Sequence, residues 1–174
     1  MAIPPSLLLC LLIAAAFPSH PVAAGSGFDA ALARLQSQIG YDFRAPELLR
    51  RAMTHASYSR ENGRALAVLG LAASQSAAAL QALANDHDAA ASVVAHRATE
   101  VASEAVCAKI GARVGIPAIV RVAAGINASA PPVVCGALRA LIGAVAVDAN
   151  STDAAVKVFM RLHEVTAASS TAAM

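Results

Sequence analysis

Aromatic residues are nearly missing: the chain has no Trp, two Tyr and four Phe, 3% in all, against 57% hydrophobic residues. Alanine makes up the difference. It is the strongest helix former, whereas strands favour β-branched and aromatic side chains. The scarcity therefore argues against a sheet-rich core and predicts an all-α bundle of closely packed helices. Charge is thin too, at 14% charged residues and a formal +2. That balance does not demand a nucleic-acid partner, because strong phosphate binding draws on a basic face. Lysine is almost gone: eleven of the thirteen cationic residues are Arg, and none precedes Arg34. Cysteine is down to three, and no repeat or long linker divides the 174 residues, which suit one domain.

The first residues stand apart. Ser6 to Phe17 is an uncharged apolar run, followed by Pro18, Pro21 and the small residues Val22-Ala23-Ala24-Gly25. The run is too short to cross about 30 Å of hydrocarbon comfortably. Val22 and Ala24 suit a signal-peptidase site, so residues 1–24 read as a cleavable signal peptide cut after Ala24. Met1 to Pro5 carries no Lys or Arg, a departure from the usual basic start, and a buried N-terminal helix is the alternative. The expectation is a secretory or extracellular location with no stable membrane span. Asn127-Ala128-Ser129 and Asn150-Ser151-Thr152 fit it as N-glycosylation acceptors. Cleavage would remove Cys10 and leave Cys107 and Cys135, which an oxidising compartment could join. Two buried thiols on separate helices are the default reading.

Phe28 to Ile39 sets Leu32, Leu35 and Ile39 on one helical face, and Gly40 ends it. Tyr41-Asp42-Phe43 connects to a second helix opened by Pro46, with Glu47 in its first turn and Leu48, Leu49, Ala52 and Met53 on its buried side. Past Thr54-His55-Ala56-Ser57-Tyr58 and a polar turn to Gly63, Arg64 to about Ala84 is apolar almost all round, the mark of a central helix. Asn85-Asp86-His87-Asp88 is expected to cap the next helix, from Ala89 to about Ile110, with Gly111 as its stop. Ile116 to Ala130 is loop-like with room for a short helix, and Pro131-Pro132 blocks its continuation. Val133 to Ala149 is the second apolar helix, Ser151-Thr152-Asp153 caps a last one through about Val165, and Thr166 to Met174 is a frayed tail. The domain proper spans 25–165, organised on the pair Arg64–Ala84 and Val133–Ala149.

This order of elements carries Ile39-Gly40-Tyr41-Asp42-Phe43, Pro46-Glu47-Leu48-Leu49, Thr54-His55-Ala56-Ser57-Tyr58, Leu66, Leu69-Gly70 and Ala140-Leu141-Ile142-Gly143-Ala144 ahead of Asp148. Together they resemble the catalytic domain of the ribonuclease III family over roughly residues 30 to 165. The pattern is nearest to a short, secretory plant type that lacks the double-stranded RNA-binding domain. The resemblance implies a ribonuclease III-type helical bundle, a homodimer, duplex RNA as substrate, and Mg²⁺ held by carboxylates of the two central helices. The ion would activate a water and steady the charge that develops at phosphorus. The family signature reads Asn-Glu-Arg-Leu-Glu-Phe-Leu-Gly-Asp. Registered on Leu69-Gly70, its two glutamates fall at Arg64 and Ala67 and its aspartate at Leu71. In the later helix, the Asp and Glu ahead of Ala-Leu-Ile-Gly fall at Gly136 and Arg139. Every acid is replaced. Arg139 is expected to repel a metal even at an effective dielectric of about 20, and Leu71 to fill its space. Ala67, Leu71 and Arg139 should approach one another across the pair.

Catalytic silence is the expectation, with no cofactor and a role as a dimeric RNA- or protein-binding module. The alternative is an active metal-dependent double-stranded RNA endonuclease, using Glu61 and Asp88 or a partner subunit in place of the usual acids. Only then would Mg²⁺ be bound. Arg50, Arg51, Arg60, Arg64 and Arg139 would form a basic floor for phosphates around the vacated site. Little else suggests chemistry. His20, His55, His87, His96 and His163 have no metal-ligand spacing with the cysteines. His55 reads as structural and His87 as part of a solvated turn. Ser57 and Cys107 show no base partner, and Gly63 and Gly70 do not build a phosphate loop.

Overall fold

The computed structural model describes residues 27–171, and the side chains of 27–164. The expected signal peptide, with Cys10 and His20, lies outside the described residues. Those residues form α1 Gly27–Ile39, α2 Pro46–Ala52, α3 Arg64–Asn85, α4 Ala91–Val101, α5 Glu104–Arg113, α6 Pro131–Ala149 and α7 Thr152–Thr171, with a 3-10 turn at Ile116–Ala118. Among them there is no strand, only an isolated parallel bridge between Thr54 and Arg121.

The axis of the bundle is α6. Pro131 opens it, where a missing N–H costs nothing, and Asn150, left-handed at φ 50°, ends it. Leu138, Leu141, Ile142 and Val145 are fully enclosed, each stabilising the fold by roughly 1.5–3 kcal/mol of transfer free energy. A helix apolar on every side has to be surrounded, and α2, α3, α5 and α7 surround it. By length and composition both α3 and α6 could cross a bilayer, but 72% of that stretch of α6 is buried inside the bundle, as in a core helix.

Two glycines let α3 lie directly on α6. A Cβ on Gly70 would fall on the Arg139 carbonyl, and one on Gly143 on the Leu66 carbonyl. Each such Cβ would also stand 2.9–3.0 Å from the other glycine's backbone nitrogen. The backbones touch there, a fit that only glycine permits.

The single helix expected over Ala89–Ile110 is two helices. Ser103 is extended, and its hydroxyl accepts from the Val106 N–H at 3.4 Å, so a new N-terminus starts inside the apolar pattern. Gly111, the expected stop, is buried within α5 against Val134; the left-handed glycine that follows the helix is Gly115, at φ 81°. Asp86 does not cap α4 but closes α3, its carboxylate accepting from the Asp88 N–H at 3.0 Å. At the other end, Ser151 does cap, accepting from the Asp153 N–H at 3.2 Å. Helix α7 runs past the expected Val165 end to Thr171, because that stretch has no Gly or Pro to stop it and its alanines favour continuation.

Cys107 of α5 and Cys135 of α6 are joined as a disulfide rather than standing as two thiols, their Cα atoms 5.0 Å apart across 28 residues of sequence. Closing a loop of that length is worth roughly 3.5 kcal/mol on chain-entropy grounds. Replacing both cysteines by alanine should lower stability in urea by about that amount. The protein, denatured without reductant, should show no reactive thiol at either position. Two titratable thiols there would rule the bridge out.

Candidate functional site

Where the first turns of α3 and α6 meet the end of α2, a cavity of about 350 Å³ opens. Its wall is mostly methyl and methylene, from Ala52, Ala56, Ala67, Val120, Val133, Ala137 and Ala140, with Gly63, Pro132 and Gly136 between them. Thr54, His55 and Arg64 complete it. Three of the five vacated acid positions, Arg64, Ala67 and Gly136, therefore share one space.

Leu71 and Arg139 do not join them. At Gly70 the backbones of α3 and α6 touch, which closes the gap before Leu71. Arg139 turns away: its Nη2 donates to the Ala102 carbonyl at 2.6 Å, while its buried Nε finds no acceptor among the described residues. The cation expected beside the metal position is instead a cap on the end of α4. Long arginine stems reach carbonyls well off their own axis, and register alone does not fix their direction.

The polar groups of the cavity wall are few and mostly engaged. The Thr54 hydroxyl donates to the Arg50 carbonyl and accepts from Arg121 Nη2, both at 2.7 Å. His55 Nδ1 accepts from the Ser57 backbone N–H at 3.2 Å and lies 2.8 Å from Ser57 Oγ. Ser57 Oγ in turn accepts from the Ala123 N–H at 3.1 Å. Ser57 thus has an imidazole partner that its sequence context did not reveal, and the pair clasps two loops together. Arg64 is exposed, and no carboxylate pairs with it among the described residues, whose ion pairs include Arg44–Asp148, Arg50–Asp29 and Arg97–Glu100.

The expected basic floor is dispersed. Arg50 pairs with Asp29 and, with Arg51, lines a separate hollow beside Glu47, Tyr58, Glu61 and Arg121. Arg60 is exposed in the turn between the two spaces. Glu61 therefore sits among arginines of the second hollow, and Asp88 is exposed beyond the end of α3, so neither lines the cavity. Among the described residues no three His, Cys, Asp or Glu side chains are grouped to hold a metal.

Arg121 organises this side of the molecule. Its guanidinium lies 4.2 Å from the Phe28 ring centroid and 5.0 Å from that of Tyr58. Its backbone N–H donates to Met53 and its carbonyl accepts from His55, both at 2.9 Å. An arginine in a loop gives no periodic signal. The only hint in the sequence is that the rare aromatic residues flank its partners.

Asp148, the lone acid of α6, is buried at the far end of the helix. Its carboxylate accepts from the Tyr41 hydroxyl at 2.7 Å, the Ala45 N–H at 2.8 Å and the Arg44 N–H at 3.1 Å, with the Arg44 guanidinium 3.8 Å away. Burial pushes this carboxyl up, but the three hydrogen bonds and the guanidinium outweigh it and hold it below the usual carboxylate range. Burial and the bond to Asp148 push the Tyr41 hydroxyl up to about 12. Asp148 thus ties the 41–45 connector to α6.

Comparison with known proteins places this geometry. No family model matches the sequence. The Arabidopsis thaliana protein NUCLEAR FUSION DEFECTIVE 2 is 44% identical over 139 residues, covering 79% of this chain and 73% of that protein. Two solved structures of the nuclease domain of ribonuclease III from Campylobacter jejuni share the fold. One superimposes with a TM-score of 0.73 at 22% identity, over 76% of this chain and 96% of the other. The second gives 0.71 at 23%, over 76% and 92%. The helical bundle is that of the ribonuclease III nuclease domain, and with the extended identity to the plant protein the chain belongs to the family of NUCLEAR FUSION DEFECTIVE 2.

Proposed function

We propose that this chain is a ribonuclease III-like domain without metal-dependent cleavage, acting as a dimeric binding module on the secretory route. The donor set at the crossing of α3 and α6 carries the reading. Mg²⁺ takes oxygen ligands at short range and keeps several waters. The cavity offers one side-chain oxygen, that of Thr54, already bonded on two sides, and an unpaired guanidinium at Arg64. Those residues do not fit the ion, and no step of RNA hydrolysis follows from them. Duplex RNA incubated with the mature protein and Mg²⁺ or Mn²⁺ is expected to stay intact. Cleavage that a chelator abolishes would overturn the proposal.

Support for the dimer comes from Val68, an apolar side chain on α3 that is 73% exposed. One of the Campylobacter jejuni nuclease-domain structures is itself described for flexibility in a region involved in dimer formation. A duplex-RNA partner is favoured by Arg51, Arg60 and Arg64, which are exposed and pair with no carboxylate among the described residues. If all three meet phosphates, log affinity should fall against log salt with a slope of about −3. A flat response would point to a protein partner. The exposed Asn127 and Asn150 and the Cys107–Cys135 bridge support the secretory route.

A further inference from the structure

We infer that the cavity at the vacated metal position binds a small amphipathic anion, a hydrocarbon body with a single carboxylate head. The inference rests on the reading above, that the crossing no longer holds a metal. A volume of about 350 Å³ is at the small end of what takes an organic ligand. Its wall of alanine, valine and glycine gives a polar or heterocyclic body nothing to bond, and unpaired polar atoms there would be costly. A hydrocarbon body leaves no polar atom unpaired on entering.

The polar contribution is concentrated in two groups. Arg64 is the first residue of α3, lines the cavity and is exposed, and no carboxylate pairs with it among the described residues. His55 also lines the space, and its Nδ1 accepts from the Ser57 N–H, so the neutral ring carries its proton on Nε2 as a donor. No acid lines the cavity, and Thr54 is committed elsewhere. One fork of charged donors matches one carboxylate. A cation would be repelled, and a polyphosphate would leave most of its charge unmatched.

Calorimetric titration of octanoate into the full secreted chain tests this, with octanamide and octylamine as neutral and cationic counterparts. The expected result is one octanoate per chain, octanamide about tenfold weaker, and no octylamine binding. Arg64→Gln should bring octanoate down to the octanamide level. Gly136→Leu should abolish both, because its side chain enters the cavity. A Cβ at position 136 meets nothing within 4 Å, and leucine is the better helix residue, so this variant keeps its fold, which thermal unfolding checks. The inference is overturned if octanoate shows no saturable binding, if binding survives Gly136→Leu, or if octanamide equals octanoate. Chelator-sensitive RNA cleavage would instead overturn the reading beneath it. Intact RNA together with no octanoate binding would overturn the inference alone.

Discussion

Gly70→Ala and Gly143→Ala should each destabilise the protein by about 3 kcal/mol or more, a large share of the roughly 5–15 kcal/mol that holds an ordinary domain folded. Helix propensity argues the opposite sign, since alanine in a helix interior is favoured over glycine by about 1 kcal/mol. Contact decides. A methyl at either site falls on a backbone carbonyl of the facing helix, and backbone cannot rotate aside as a flexible side chain can. The two helices would have to separate along their most intimate contact, and the buried side of α6 would lose its packing with them. Gly136→Ala is the internal control: its Cβ meets open space, so it should gain roughly 0.5–1 kcal/mol. Urea unfolding of the three variants reads the comparison directly. A Gly70→Ala protein as stable as Gly136→Ala would show that the helices do not touch there.

Asp148→Ala should have the second largest effect, roughly 3 kcal/mol, because it strands three donors at once. The Tyr41 hydroxyl and the Arg44 and Ala45 N–H groups would lose their acceptor, and the connector they fix would come free of α6. Asp148→Asn keeps one acceptor oxygen but turns an NH₂ toward the donors, so it should recover only part of the loss. The acid limb of stability follows from the same group. Its folded carboxyl is held below the ordinary range, so its contribution is fully present above the unfolded value of about 4. It is lost as pH falls from there through the lower native value. Stability plotted against pH should therefore lose an acid-limb component in Asp148→Ala. An unchanged acid limb would show that Asp148 is not the group responsible.

The central helices are legible in the sequence because their composition is apolar almost throughout: Arg64 to about Ala84 and Val133 to Ala149 read as the central pair. Yet only α6 is enclosed, while 28% of the apolar stretch of α3 is buried and Val68 and Leu80 stand exposed. The break at Ser103 is not, because Val101 and Val106 keep the apolar spacing running across it and only the serine's cap betrays a new helix. Asp148 is a comparable case. A single acid ending an apolar helix demands partners, yet nothing in the chain indicates that they lie at Tyr41 to Ala45, more than a hundred residues earlier. At the site, the loss of acids from positions 64, 67 and 136 is plain from register, and these three positions do share a cavity. Where Arg139 points is a matter of tertiary geometry: the carbonyl it reaches, that of Ala102, is freed by the very break that the periodicity hides.

The proposed function requires that a crossing lined by methyl groups and a guanidinium hold no divalent ion. Titration of Mn²⁺ into the protein, followed by the electron paramagnetic resonance of the free ion, decides it. The signal should grow in proportion to added Mn²⁺, with no site saturating in proportion to protein. One tightly held Mn²⁺ per chain, released when Gly136 is replaced by leucine, would contradict it.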